Sequence, residues 1–306
     1  MSPGTDPQPL AGPIRRVGVV LRQRNADLPG AVARLGDICA LHGVEVVFVE
    51  RDVTEAAPDP ASTALLHEDV DLVVALGGDG TLLRAARLVA EREIPVFGVN
   101  LGQLGFLTNT AEAEMEEGLA RVLAGEGVLD RRFTLSAQVV AAGRPKGEAY
   151  RALNDVVIHR PTASRVTPVH LAVRHGDVID EVGSFSADGV ILATPTGSTA
   201  YSLAAGGPIV VPEVECIIVT AICPHSLSVR PLVVPARDTV NVRPLDPSHE
   251  LQLTVDGQVT RTLDPRDEVV VSRGPHDVAL VRLPGQTFFG TMRRKLNWAL
   301  RPPERA

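Results

Sequence analysis

Four groups of residues in this sequence have the types and spacing to do chemistry. Gly77-Gly78-Asp79-Gly80-Thr81 stands between an apolar run and a helical pattern. Glycines at such a place let the backbone approach a phosphate closely, and amide N–H groups at the helix start can point at it. Asp79 reads in two ways: as the N-cap of the helix, or as an acid beside a phosphate cradle that takes a proton from a hydroxyl. Asn154-Asp155 sets an amide beside a carboxylate at the mouth of a strand, a pair that can clamp ribose hydroxyls or simply form an Asx turn. From Asp188 to Pro208 a strand runs into a loop dense in hydroxyls, with Thr196, Ser198 and Thr199, and then into Tyr201, one of only two tyrosines. Such a loop suits a sugar or nucleoside, though a capped surface helix with a half-buried Tyr would read the same. Asp256-Gly257-Gln258 reads as a hairpin turn.

The elements that must carry these residues follow from periodicity. After a Pro/Gly-rich leader (1–14, expected to be disordered), strands are predicted at Val17–Leu21, Val44–Val49, Asp71–Leu76 and Pro95–Val99. Helical patterns lie between and after them: Pro29–Leu41, Thr81–Glu91 and Ala111–Leu123, with a loop around Pro58 and Pro60. Alternating β and α of this kind is the grammar of a parallel sheet flanked by helices, a Rossmann-like α/β domain over 15–130. From Arg131 onward strands follow one another without a helix long enough for a crossover: Phe133–Val140, Val156–His159, His170–Arg174, Gly189–Ala193, Cys216–Ala221, Thr239–Val242, Leu251–Val255 and Val269–Val271. With turn signals at His175-Gly176-Asp177, Asp188-Gly189 and Asp256-Gly257, these predict an antiparallel, all-β sandwich-like domain over 131–285. Phe288–Leu300 is helical in pattern and is expected to return to the first domain as a segment over 286–306.

Composition narrows the chemistry. The chain has 306 residues, 44% hydrophobic and 22% charged, enough for two domains with separate cores. No apolar run is long enough to span a bilayer and no leader peptide is evident, so a cytoplasmic protein is expected. A net charge of −7 and ten aromatic residues argue against a nucleic-acid or anionic-membrane surface. Only Lys146 and Lys295 are lysines and neither follows a glycine loop, which excludes a Walker A motif. The VAIK and HRD elements of protein kinases are also absent. Cys39, Cys216 and Cys223 form no CxxC pair and predict reduced thiols rather than a metal or redox site.

Taken in order, LGGDGTLLRA (76–85), NLGQLGFLT (100–108), NDVVI (154–158), ADGVILATPTGSTAYSLAAGGPIV (187–210), CPHSLSVRPLVV (223–234) and DGQ (256–258) strongly resemble the NAD kinase family across about Val17 to Leu300. GGDGT alone is shared with lipid kinases and phosphofructokinases; the long block ending in TAYSLAAGGP separates NAD kinases from them. The resemblance implies phosphoryl transfer from ATP, or inorganic polyphosphate, to the 2′-hydroxyl of the adenosine ribose of NAD, with Mg²⁺ or another divalent cation. It implies Asp79 as general base, a phosphate loop of Gly77, Gly78, Gly80 and Thr81, and Arg84 as a basic position facing phosphates. For the dinucleotide it implies Asp79, Gly80, Asn154, Asp155, Arg165, Asp188, Thr199, Ala200, Tyr201, Ser202, Leu203, Ala204 and Gln258, and it implies a homodimer or homotetramer. Two departures from the usual family pattern, Asp155 where Glu is common and Ala204 where Ser is common, shorten one acidic stem and remove one hydroxyl. The alternatives are a lipid or sugar kinase sharing the glycine loop, a non-catalytic NAD(H) sensor, and a Rossmann dehydrogenase with Glu50 as ribose ligand. The last lacks a G-x-G-x-x-G at its first helix.

Overall fold

In the computed structural model of the chain, the residues described are 8–10, 12–22, 28–48, 69–89, 91–108, 110–161, 167–246 and 251–298. The loop expected around Pro58 and Pro60, residues 1–7 of the leader and Arg165 lie outside them. Two compact units emerge, one formed by residues 1–52, 64–131 and 278–306, the other by 53–63 and 132–277.

The first unit is built on an eight-stranded sheet. Four strands, in the spatial order Glu45–Phe48, Arg16–Leu21, Leu72–Leu76 and Val96–Asn100, run parallel. Leu72–Leu76 and Val96–Asn100 are buried at every position, which is why they read as unbroken apolar runs rather than alternating ones. The helices Leu28–Leu41, Asp79–Val89 and Met115–Leu123 belong to this unit. Leu35, Leu72, Leu76, Phe97, Met115 and Leu119 are among the core side chains with almost no exposure.

Several details depart from the sequence reading, among them strands at Val128–Arg132, Tyr150–Ala152, Val178–Ala187, Leu232–Pro235 and Val259–Leu263 that it does not name. The helix after the glycine loop starts at Asp79 rather than Thr81. The helix expected from Ala111 opens as a 3₁₀ turn, Glu112–Glu114, before the α-helix begins at Met115. Within the leader expected to be disordered, Gln8–Pro9 pairs antiparallel with Val128–Leu129, and Leu10 is buried in the first unit's core. Val278–Arg282, for which no strand was predicted, pairs parallel with the Val96–Asn100 strand, so the chain rejoins the first unit before the expected position 286. Arg282 ties this strand to its neighbour through Asp130. The closing helix, Phe288–Leu296, is capped by Thr287, whose side chain accepts a bond from the Gly290 amide, and ends on Asn297 in the left-handed conformation. Lys295 of this helix donates to the Leu104 carbonyl.

The second unit is an antiparallel sandwich. One sheet has seven strands and includes Leu135–Ala141, Thr167–His175, Val178–Ala187, Thr239–Pro244 and Asp267–Arg273. The other has six, in the order Leu232–Pro235, Cys216–Ile222, Gly189–Ala193, Asp155–His159, Leu251–Val255 and Val259–Leu263. The chain changes sheet at Asp188, between Val178–Ala187 and Gly189–Ala193. Val156, Ile158, Val190, Leu192, Leu253 and Val255 share one core with Leu135, Val169, Leu171 and Val269 of the opposite sheet. By the two-residue period of a strand, Asp155, Val157, His159 and Thr254 must then face away from that core. There Val157 joins Ile191, Ala193, Cys216 and Ile218 in a smaller apolar cluster. The three cysteines are free.

Candidate functional site

In the first unit, the order of the parallel strands reverses between Arg16–Leu21 and Leu72–Leu76. Open parallel sheets bind ligands outside the carboxyl ends of strands at such a switch point. Gly77 and Gly78 stand at that end of Leu72–Leu76. Gly77 is required by space, because a Cβ there would overlap the Thr81 hydroxyl, whereas a Cβ on Gly78 would meet nothing within 4 Å. The Gly78 carbonyl accepts the amides of Thr81 and Leu82, at 2.9 and 3.2 Å, and so starts the helix. Arg84, one turn on, donates to the Leu21 carbonyl at 2.5 Å, across the switch point. Burial lowers the pKa of its guanidinium from the ordinary arginine value.

Asp79 does not cap its helix through these contacts. Its carboxylate crosses to the loop 101–108: Oδ2 accepts the Phe106 amide at 2.8 Å, and Oδ1 accepts the amides of Leu107 and Thr108 at 3.2 and 3.0 Å and the Thr108 hydroxyl at 2.9 Å. Buried Asn100 organises the same loop, donating to the Thr108 hydroxyl and the Gln103 carbonyl and accepting from the Gly102 amide. A Cβ at Gly105 would overlap the Asp79 carboxylate, so glycine is needed there for close approach. Sequence reasoning missed Asn100, Gly105 and Thr108 as supports of Asp79. Three polar or small residues 21 to 29 positions downstream carry no local signal of that task.

The second unit carries a cavity of about 660 Å³ on the outer face of its six-stranded sheet. Of the residues singled out in the sequence, it is lined by Asn154, Asp155, Asp188, Ala200, Tyr201, Asp256 and Gly257. Also lining it are Val157, His159, Arg160 and Thr254. The strand period could have found Val157 and His159, since they share a face with Asp155. His159 Nδ1 is 2.8 Å from the Arg160 carbonyl and donates to it, and Nε2 is 2.9 Å from the Thr254 hydroxyl.

The Asn154-Asp155 pair is held from two sides. Asp256, at the tip of the Leu251–Val255/Val259–Leu263 hairpin, accepts the amides of Leu153, Asn154 and Asp155 at 3.0, 2.7 and 3.1 Å. From the other side, the Asn154 carbonyl accepts the Thr194 amide at 2.9 Å, and a Cβ on Gly197 would overlap that carbonyl. Asp155 is 5% exposed, and no hydrogen bond to its carboxylate is seen among the described residues. Burial, reinforced by the nearby Asp256 charge, pushes its carboxyl up to about 7.

The hydroxyl-rich loop uses its hydroxyls chiefly on itself. Ser198 Oγ donates to the Pro195 carbonyl at 2.6 Å and accepts the Val210 amide at 3.0 Å. Thr199 Oγ1 bonds the Thr196 carbonyl at 3.2 Å. Ser202 is fully buried and pairs with Thr220 at 3.0 Å, beneath Gly207, where a Cβ would strike it. Thr199, Ser202, Leu203, Ala204 and Gln258 are not among the residues lining the cavity; Gln258 sits in the hairpin turn, its amide bonded to the Val255 carbonyl at 2.9 Å. Tyr201, 46% exposed, does line it.

A lysine-free glycine loop at the switch point of parallel strands, joined in one chain to a sandwich whose cavity carries Asn154, Asp155 and Asp188, is an arrangement suited to a phosphotransferase that takes a nucleotide. The family description ATP-NAD kinase N-terminal domain matches residues 44–127, and ATP-NAD kinase C-terminal domain matches 153–283. The NAD kinase of Gemmatimonas aurantiaca is 43% identical over 283 residues, 92% of this chain and 96% of that one. This chain belongs to the NAD kinase family, and it is an enzyme, a kinase. The NAD kinase of Koribacter versatilis is 38% identical over 292 residues, covering 94% of this chain and all of the relative. Among solved structures, yeast NADH kinase complexed with NADH superposes with a TM-score of 0.80 at 24% identity, over 96% of this chain and 90% of that one, a likeness of fold. An NAD kinase from Archaeoglobus fulgidus in complex with ATP gives 0.70 at 26% identity, over 91% and 98%.

Proposed function

We propose that this enzyme transfers the γ-phosphoryl group of ATP, or a terminal phosphoryl of polyphosphate, to the 2′-hydroxyl of the adenosine ribose of NAD, giving NADP. The observation that carries this reading is the buried Asp155 carboxylate, without a protein partner among the described residues and opening on a cavity beside Asn154. A carboxylate so placed, next to an amide, is an acceptor pair for ribose hydroxyls, and it is costly to keep buried unless a ligand satisfies it. Ala200, Tyr201 and Asp188 complete the dinucleotide contacts, and the ring of Tyr201 offers a flat apolar face. Ser202, Thr199, Leu203, Ala204 and Gln258 support the loop and hairpin that shape the cavity, and Arg165 completes the family set.

Asp79 is the general base. Oδ1 is occupied by three donors but Oδ2 by the Phe106 amide alone among the contacts seen, so Oδ2 keeps a lone pair for the incoming proton. The 2′-oxygen attacks phosphorus, the bond from phosphorus to the bridging oxygen breaks, the shortened donor leaves with that electron pair, and the hydroxyl proton passes to Asp79. The loop of Gly77, Gly78, Gly80 and Thr81 lets the donor phosphates approach the main chain closely, although the Gly77 and Thr81 amides are themselves bonded to the Val99 and Gly78 carbonyls, and Arg84 adds positive charge at the same strand end.

Among the described residues no group of three His, Cys, Asp or Glu side chains could hold a metal ion. Mg²⁺ enters as part of the metal–nucleotide substrate, and no step is derived through a resident cation. No helix among the described residues is long and apolar enough to cross a membrane. Val178, Ile179 and Val182 on one sandwich edge strand and Leu232 and Val233 on another are exposed, which supports assembly into a homodimer or homotetramer.

The test is to incubate pure enzyme with NAD, Mg²⁺ and either ATP or polyphosphate and to assay NADP with an NADP-specific dehydrogenase. NADP formation with at least one donor is expected. Its absence with both would refute the reading.

A further inference from the structure

We propose that Asp256 is a positioning residue for NAD: its carboxylate fixes the Leu153–Asp155 backbone and sets a second negative charge beside Asp155, and thereby sets the pH range over which the site takes up the dinucleotide. This rests on the reading above that Asp155 receives ribose hydroxyls. Asp256 lies in a hairpin turn, but a turn asks nothing of its carboxylate. Here Asp256 is buried and its carboxylate gathers three successive amides at the start of the Asp155–His159 strand, while Asp256 and Gly257 both adopt the left-handed backbone, with φ of 49° and 64°. Its own amide donates back to the Asp155 carbonyl at 2.9 Å, closing a reciprocal clasp between hairpin tip and site strand.

Three amide donors converge on the Asp256 carboxylate. The charge they stabilise adjoins Asp155, which is buried without such donors. The Asp155 carboxyl is pushed up to about 7 by burial and by the Asp256 charge. The other titratable groups facing the cavity are Asp188, His159, Arg160 and Tyr201. None of them accepts bonds from the site-strand amides as Asp256 does. Ionised Asp155 accepts ribose hydroxyls as a pair of bonds; protonated Asp155 loses part of that capacity. Affinity for NAD therefore improves as pH rises through neutrality, and Asp256 helps fix where that rise occurs.

The experiment measures KM for NAD and kcat from pH 5.5 to 8.5 for the wild type, Asp256→Asn, Asp155→Asn and the double variant, with far-UV circular dichroism as the fold control. Asparagine tolerates the left-handed backbone and its carbonyl oxygen can still accept the Asn154 and Asp155 amides, but it carries no charge. In Asp256→Asn the midpoint of the KM profile should move to lower pH by roughly half a unit, which is about a threefold lower KM at pH 6 relative to pH 8, with kcat at saturating NAD within about twofold. Asp155→Asn should lose the midpoint, and the double variant should show no further shift. An unchanged midpoint in folded Asp256→Asn, or a fall in kcat without any change in the KM profile, overturns the proposal. Should Asp256→Asn fail to fold, Asp256→Gly, which also accepts positive φ, is measured in its place; failure of both makes Asp256 a folding element and overturns the proposal too. A wild type that forms no NADP at any pH defeats the NAD-phosphorylating reading itself, an outcome distinct from these.

Discussion

Replacing Asp155 by Asn should stabilise the protein at alkaline pH, although it removes a residue assigned to substrate. An aspartate in an unfolded chain ionises near the model value of 3.8, whereas burial and Asp256 push this one up to about 7 in the folded state. The folded protein therefore binds more protons than the unfolded chain between those values, and its stability falls as pH rises through that window. A difference of about three pH units corresponds to about 4 kcal/mol lost by pH 8, of which about 2 kcal/mol is already lost at pH 5. Asparagine has nearly the same shape and no charge, so it escapes the loss. Without ligand, Asp155→Asn should exceed the wild type in stability by up to about 4 kcal/mol at pH 8, the gap narrowing by about 2 kcal/mol at pH 5. Urea unfolding at the two pH values, followed by circular dichroism, measures it, and saturating NAD should shrink the gap by stabilising the wild type selectively. A gap independent of pH, or a variant less stable than the wild type at pH 8, would refute the assignment of a strained, unpaired carboxyl at this position.

Asp79→Asn should retain NAD affinity within several-fold but lose most turnover, because the lost group accepts a proton; unchanged kcat in the coupled NADP assay would place the base elsewhere. Gly105→Ala should lower kcat at least about tenfold, since the added methyl displaces the Asp79 carboxylate; wild-type kcat in the folded variant would show that the loop yields instead. Gly197→Ala forces a methyl onto the Asn154 carbonyl and should raise KM for NAD more than it lowers kcat, with a stability cost of about 2 kcal/mol or more read from the melting temperature.

Much of the architecture was legible because it rests on local pattern. The apolar run ending at Leu76, broken by glycines and followed by a helical spacing, placed the phosphate loop between a central strand and a helix, and the absence of helical spacing after Arg131 marked the sandwich. What stayed hidden depends on distant partners. Asp79 reads as a cap in its own sequence neighbourhood; its actual bonds run to Phe106, Leu107 and Thr108. Asp256 reads as a turn residue because its three amide donors lie about a hundred positions away. Ser202 is chemically indistinguishable from a ligand-binding serine until Thr220 is seen beneath it. A short apolar stretch such as Val278–Arg282 reveals neither its sheet nor its neighbours, since a parallel partner far upstream leaves no periodic trace.

That returning strand has a consequence for how the enzyme is made. The first unit's sheet needs Val278–Arg282 beside Val96–Asn100, with the whole sandwich encoded between them. On a ribosome adding about 5–20 residues per second, the sheet that carries the glycine loop waits for roughly ten seconds or more after Asn100 is polymerised, while the sandwich emerges whole. The sandwich is thus the vectorial folding unit and the glycine-loop sheet the late one. Its unfinished edge is the surface that nascent-chain chaperones would have to guard.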